Sequence, residues 1–188
     1  FTGMSKSYYY GDNYKLKLGA QLEFVTKFPE ILFWPGLWPD YGSVIEPSSF
    51  GCTVTLSKEG EPIISSHAIK DLDEVDIISV PDIKRDGLIP RALDNYKYIV
   101  DNTPRDIKER YGYANGFAFT MGPCDLAVQV LGYENFILGI HTEKSTMNKL
   151  MRLFTRTIEE WINAQWEVSG DRKFVFIIED SISLLGPE

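Results

Sequence analysis

The longest regular pattern in the chain runs over residues 144–168. Met147, Leu150, Met151, Phe154, Ile158, Trp161 and Ile162 recur at i, i+3, i+4, i+7, i+11, i+14 and i+15, with Arg152, Arg156, Glu159 and Glu160 between them. One apolar stripe backed by charge predicts an amphipathic helix lying on a core. Ser169-Gly170-Asp171 ends it, and the following run, 173-KFVFIIE-179, is almost continuously apolar. Such a strand is covered on both faces, as in a parallel sheet.

The earlier chain alternates in the same way. Leu18, Leu22, Val25 and Phe28 predict a helix over 14–27, ended by Pro29. The stretch 31-ILFW-34 reads as a buried strand, broken by Pro35 and Gly36. Residues 37–51, LWPDYGSVIEPSSFG, read as a long irregular segment beside a site. Two β-rich runs in 52-CTVTLSKEGEPIISSHAI-69 flank Lys58-Glu59-Gly60 and predict a hairpin. A helical turn and a Pro-punctuated connection follow over 71–86. Residues 88–110 then read as mostly helical, with Leu93, Tyr96 and Val100 on one face. The stretch 116-GFAFTM-121 predicts a strand closed by Gly122-Pro123, and two helices follow over 124–131 and 134–141.

Strand, helix and strand with long crossovers predict an α/β fold. Sites in such folds sit at the C-terminal ends of the strands, here Pro35, Gly122 and Glu179. The loops 35–51, 122–129 and 179–188 are therefore expected to converge on one face. The hairpin is expected to be an excursion from the sheet.

Composition narrows the function. The 188 residues are 44% apolar, enough for a sizeable core. Net charge is −8, with no basic block, which argues against nucleic acid as a partner. No apolar run approaches the roughly 20 residues that span a bilayer, so no membrane association is expected. The chain begins at Phe1 without a signal-peptide layout, and a lost N-terminus is expected. Cys52 and Cys124 do not form a disulfide framework, and a cytoplasmic location is expected.

Several stretches resemble one family in order and spacing. They are 122-GPCDLAVQVLGYENF-136, 159-EEWINAQWEVSGDR-172 and 176-FIIEDSISLLGPE-188. Phe50-Gly51 before the hairpin, Glu61-Pro62-Ile63 within it and Leu88-Ile89-Pro90 opening the next helix fit the same pattern. Together they resemble the uroporphyrinogen decarboxylase (URO-D) superfamily, which includes the methylcobamide-dependent methyltransferases. The resemblance implies a (β/α)8 TIM barrel of the URO-D type. Residues 1–188 would form a single incomplete domain, about the first half of that barrel.

The resemblance also implies two activities to choose between. The decarboxylases carry N-terminal arginines suited to a polycarboxylate. They also carry an aspartate after the first strand, a tyrosine in the helix after the GP turn, and a serine beyond the strand that here ends at Glu179. In this sequence the aspartate position falls on Pro35, the tyrosine on Gln129 and the serine on Asp180, with Ser181 next to it. The arginine motif is absent.

The methyltransferase branch fits better. Its members move a methyl group between a corrinoid on a partner protein and a small-molecule acceptor, a thiol or another group. In some members a zinc ion activates the thiol, held by a His-x-Cys pair and a distant Cys that would lie beyond Glu188. Cys52 and Cys124 lack a His at ligand spacing, and His67 and His141 are isolated, so no metal site is expected in these residues.

The candidate site residues are Glu179 and Asp180 for catalysis. Gln129 and Ser181 are candidates for binding, and Trp34, Trp38 and Tyr41 for an aromatic wall against a flat corrinoid or an apolar methyl donor. Blander readings stand beside these. The two acids also suit a solvated strand end or a helix cap, and aromatics are more often core. Two further functions remain alternatives: uroporphyrinogen III decarboxylation, and an inactive barrel serving as a binding subunit.

Overall fold

The computed structural model describes residues 6–31, 37–56, 60–111 and 117–181. A short helix, α1 (Lys6–Tyr9), precedes α2 (Tyr14–Lys27), the helix read from Leu18, Leu22 and Val25. Leu18 and Val25 are buried, whereas Phe28 lies past the helix end and is 39% exposed. Of the strand predicted over 31-ILFW-34, all but Ile31 lies outside the described residues, as does the Pro35 that would end it.

The segment read as irregular contains a helix, α3 (Ile45–Ser49), whose five residues are all buried. Pro47 hid it from the sequence reading. A proline is tolerated in a first helical turn, where its missing N–H would be unpaired anyway. β1 (Thr53–Thr55) and β2 (Ile63–Ser66) form an antiparallel hairpin in a sheet of their own, with residues 57–59 of its turn outside the described residues.

A 3-10 helix over Leu72–Ile77 starts where the Asp71 carboxylate accepts from the Asp73 amide. The helix expected over 88–110 is two helices, α4 (Ile89–Asn102) and α5 (Arg105–Tyr111). Thr103 precedes Pro104, and the proline ring disfavours the helical region for the residue before it. Thr103 accordingly takes an extended ψ of 127° and the helix breaks there.

β3 (Phe117–Met121) leads into α6 (Pro123–Leu131), α7 (Tyr133–Thr142) and α8 (Lys144–Ser169), and the chain returns as β4 (Phe174–Ile178). β3 and β4 pair in parallel, Phe117 opposite Phe174 and Met121 opposite Ile178. A parallel pair needs a crossover, and the three helices supply it. Gly170, at φ 72°, closes α8 in the left-handed conformation that stops helices.

The predicted stripe of α8 is its buried face. Met147, Leu150, Phe154 and Ile158 join Met121, Leu126, Val130 and Phe136 in the main apolar cluster. Trp161 packs with Ile89 and Ala92 of α4 in a second cluster. Polar bonds fasten α8 to the sheet at one peptide: Gln165 Oε1 accepts from the Phe119 amide at 3.0 Å, and Gln165 Nε2 donates to the Phe119 carbonyl at 3.0 Å. Trp161 Nε1 donates to the same carbonyl at 3.1 Å. No helix among the described residues is long and apolar enough to cross a membrane.

Candidate functional site

A cavity of about 220 Å³ opens at the C-terminal ends of β3 and β4, between Met121, Ile178, the start of α6 and the segment 42–46. The loops expected to converge therefore meet here, as far as they are described. Three acids line it, Glu46, Asp125 and Asp180, together with Gln129, Ser181 and the ring of Phe119. No Lys, Arg or His is among the described residues that line it.

The cavity floor is held by exchanged backbone bonds. The Asp125 carboxylate accepts from the Asp180 amide at 3.0 Å and from the Ser181 amide at 2.6 Å. Glu179 turns the other way. Its carboxylate accepts from the Cys124 amide at 3.1 Å and the Asp125 amide at 2.9 Å, in the first turn of α6. Those N–H groups have no partner within their helix, and a carboxylate also suits the positive end of the helix dipole. Partial burial raises the Glu179 pKa; the two amides oppose that rise, and the nearby Asp125 charge adds to it. Gly122 makes the approach feasible, because a Cβ there would collide with the Glu179 carboxylate.

Sequence reasoning missed Glu46 and Asp125. Glu46 sits on α3 and is only 4% exposed. Its Oε1 accepts from the Thr120 hydroxyl at 2.9 Å and the Met121 amide at 3.1 Å, which docks α3 onto the end of β3. Burial pushes its pKa up, against the pull of those donors. The available signal was an acid set among small and apolar residues in SVIEPSSFG, within a segment already placed near the site.

Of the sequence candidates, Asp180, Gln129 and Ser181 line the cavity, and Glu179 caps the helix beside it. Gln129 also uses its carbonyl, which receives the His67 ring at 2.8 Å and the Cys52 thiol at 3.6 Å. Trp34 lies outside the described residues. Trp38 stacks on Phe119 at 5.4 Å, and Phe119 stacks on Phe176 at 5.7 Å, so Trp38 extends a ring stack along the sheet. Tyr41 is 2% exposed and belongs to the core. The Lys17 ammonium lies 3.1 Å from its ring centroid and donates to the Asp40 carbonyl at 2.7 Å.

Metal chemistry finds no ligand set in this region. Among the described residues no three His, Cys, Asp or Glu side chains are grouped to hold an ion. Cys52 and Cys124 are free, and burial raises both thiols, with Glu179 and Asp125 adding to the rise at Cys124. A zinc-ligating or nucleophilic thiolate needs the opposite shift.

A parallel strand pair joined by a helical crossover, with its polar cavity at the C-terminal strand ends, is the arrangement that TIM barrels and doubly wound α/β folds share. Residues 41–188 match the uroporphyrinogen decarboxylase (URO-D) family, and the chain belongs to that family. No curated protein matches. Among solved structures, a methyltransferase from Methanosarcina mazei is similar with a TM-score of 0.72 and 17% identity, over 90% of this chain and 47% of that one. The chain thus spans about half the length of that structure. At this identity the likeness is one of fold, and with the family it makes the fold TIM-barrel type. The described residues supply two neighbouring parallel strands and their crossover.

Proposed function

We propose that the protein is a corrinoid-dependent methyltransferase of the URO-D superfamily. It would move a methyl group between a corrinoid carried by a partner protein and a thiol or another small molecule, in the cytoplasm. One observation carries this reading: among the described residues that line the cavity, the charged ones are Glu46, Asp125 and Asp180, all acids. A tetrapyrrole with many carboxylates needs arginines, and acids in their place would repel it. A methyl donor or acceptor makes no such demand.

The chain's own residues would bind and orient the reacting group. Asp180 and Ser181 are placed by Asp125, and Gln129 offers an amide from α6. Because the described residues do not fit a zinc site, no step is assigned to one. The test is a direct comparison on the full-length protein. Incubation with methylcobalamin and a thiol should give the spectral change of demethylation, and incubation with uroporphyrinogen III should release no carbon dioxide. Carbon dioxide release would overturn the reading in favour of decarboxylation. Binding of a corrinoid protein with neither activity would make the barrel a binding subunit.

A further inference from the structure

Side chains of α1 and α2 grip the segment 38–40. Gln21 brackets the Trp38 peptide, its Nε2 donating to the carbonyl at 2.9 Å and its Oε1 accepting from the amide at 3.3 Å. The Tyr9 hydroxyl donates to Asp40 Oδ2 at 3.1 Å, and the Lys17 amine donates to the Asp40 carbonyl at 2.7 Å. Asp40 Oδ1 in turn accepts from the Gly42 amide at 3.0 Å, and Gly42, Ser43, Ile45 and Glu46 line the cavity. The cavity wall therefore starts two residues beyond the grip of the helices. Lys17 is the weak member of that grip whenever it is charged. It is fully buried, and its amine meets one acceptor, the Asp40 carbonyl, with no ion pair among the described residues. Its other neighbours are the rings of Tyr41 at 3.1 Å and Tyr9 at 6.0 Å. Arg91 reaches the same Tyr41 ring at 5.3 Å, which sets a second positive charge against Lys17 from α4. Attraction to the Tyr41 ring offsets part of the lost hydration, but a buried ammonium without a carboxylate partner favours the neutral amine. Burial accordingly holds its pKa down to about 7, with Asp40 and Asp12 opposing the fall and Arg91 adding to it.

We propose that α1 and α2 form a proton-operated clasp on the cavity wall: a proton on Lys17 drives the helices off segment 38–40, and the wall over 42–46 loosens with it. The closed form holds the neutral amine, and the open form gives the ammonium to water. Opening therefore takes up a proton, and its equilibrium constant must rise as pH falls. Between pH 9 and pH 7 Lys17 alone gives a rise of roughly fiftyfold; below pH 7 both forms are protonated and the rise ends. The other groups facing Lys17 are Tyr9 from α1, Asp12 from the turn before α2, Asp40 and Tyr41 from the clasped segment, and Arg91 from α4. Burial raises both tyrosine hydroxyls, which keeps them neutral across this range. It also raises the Asp40 carboxyl, against the Gly42 amide and with Glu61 of the hairpin adding to the rise. Titration of Asp40 works in the opposite sense, because its closed form is the one that holds the proton. The net rise in opening should thus be about tenfold or more. The clasp is independent of which reaction the cavity performs.

Hydrogen exchange read by mass spectrometry tests this on the full-length protein from about pH 7 to 9, each rate divided by the intrinsic rate at that pH. In the parent, protection over 6–27 and 37–46 should fall about tenfold or more as pH drops across the range, while β3 and α8 keep theirs. Lys17→Met fills the site without a titrating group and should show a flat profile over the same segments. Tyr9→Phe keeps the amine but removes one bond of the clasp. It should lower protection over 6–27 and 37–46 by about threefold at every pH and retain the parent's slope. A fall shared equally by β3 and α8 would mean unfolding of the whole chain and would overturn the clasp. A flat parent profile would do the same, as would a slope that persists in Lys17→Met. A slope over 6–27 with none over 37–46 would overturn the coupling to the cavity wall. The contrast between segments in the parent and in Tyr9→Phe decides the matter even where the methionine variant does not fold.

Discussion

Glu179 and Asp125 each hold the backbone of the other's segment. The Glu179 carboxylate accepts from the amides of Cys124 and Asp125, and the Asp125 carboxylate accepts from the amides of Asp180 and Ser181. The end of β4 and the start of α6 are thus locked by two side chains, each accepting from N–H groups in the other's segment. The acid pair that closes the apolar strand divides its work: Glu179 builds the wall, and Asp180 lines the cavity the wall supports.

Removing the lock should cost stability before it costs chemistry. Glu179→Ala leaves two first-turn amides without their acceptor, and we expect a loss of about 1–2 kcal/mol in urea denaturation. Gly122→Ala drives a methyl group into the Glu179 carboxylate, and displacing that flexible end should cost about the same 1–2 kcal/mol as removing it. An unchanged midpoint in both variants would remove the lock from the account.

Asp180 should behave in the opposite way. Its side chain is exposed at the cavity, so Asp180→Asn should leave the denaturation midpoint nearly unchanged. Methyl transfer should fall roughly tenfold, about 1.4 kcal/mol of transition-state stabilisation. Steady-state kinetics on the full-length protein reads both kcat and KM. Parent-like kinetics would return Asp180 to the status of a solvated strand end.

How much of this was legible depends on the range of the interactions involved. The stripe on α8 and the apolar run of β4 repeat over many residues, and the sequence pattern located both elements and their parallel pairing with β3. α3 is five residues long, carries Pro47 and owes its place to burial on all sides, so no local period marked it. Asp180, Gln129 and Ser181 were found through strand ends and a resemblance, both of which place loops. Glu46 meets Thr120 and Met121 across more than seventy residues, and Asp125 meets its partners across more than fifty. Such contacts exist only once the chain has folded. Tyr41 was read as a site aromatic, but it is 2% exposed, enclosed by Lys17 of α2 and Arg91 of α4, contacts that no local pattern marks.

Gln165 offers a sharper test of the barrel wall. Its amide forms two bonds with the Phe119 peptide, much as a neighbouring strand would. Gln165→Leu keeps most of the volume but leaves the half-buried Phe119 amide without its acceptor. The expected cost is about 1–3 kcal/mol in urea denaturation, the desolvation penalty of a backbone group that loses its partner. Arg156→Ala, which removes an exposed pair with Glu160 one helical turn away, should cost under about 0.5 kcal/mol. Similar losses in the two variants would contradict the special role of Gln165.

Lys17 predicts how stability varies with pH. Burial drives its pKa down to about 7 from the ordinary 10.5; Asp40 and Asp12 oppose that fall, and Arg91 adds to it. Between those two values the unfolded chain holds a proton on Lys17 that the folded chain has released. Unfolding then takes up a proton, so stability must rise with pH across the window, by up to about 1.4 kcal/mol per unit. The measurement should stop at about pH 9, below the ordinary tyrosine range. Tyr9, Tyr10, Tyr14 and Tyr41 all have pKa values raised by burial, and above that point they would pull stability down again. Lys17→Met preserves the buried stem without a titrating group. From pH 7 to 9 the parent should gain on the order of 2 kcal/mol relative to Lys17→Met in urea denaturation. Parallel stability curves for the two proteins would mean that Lys17 keeps its proton in the fold.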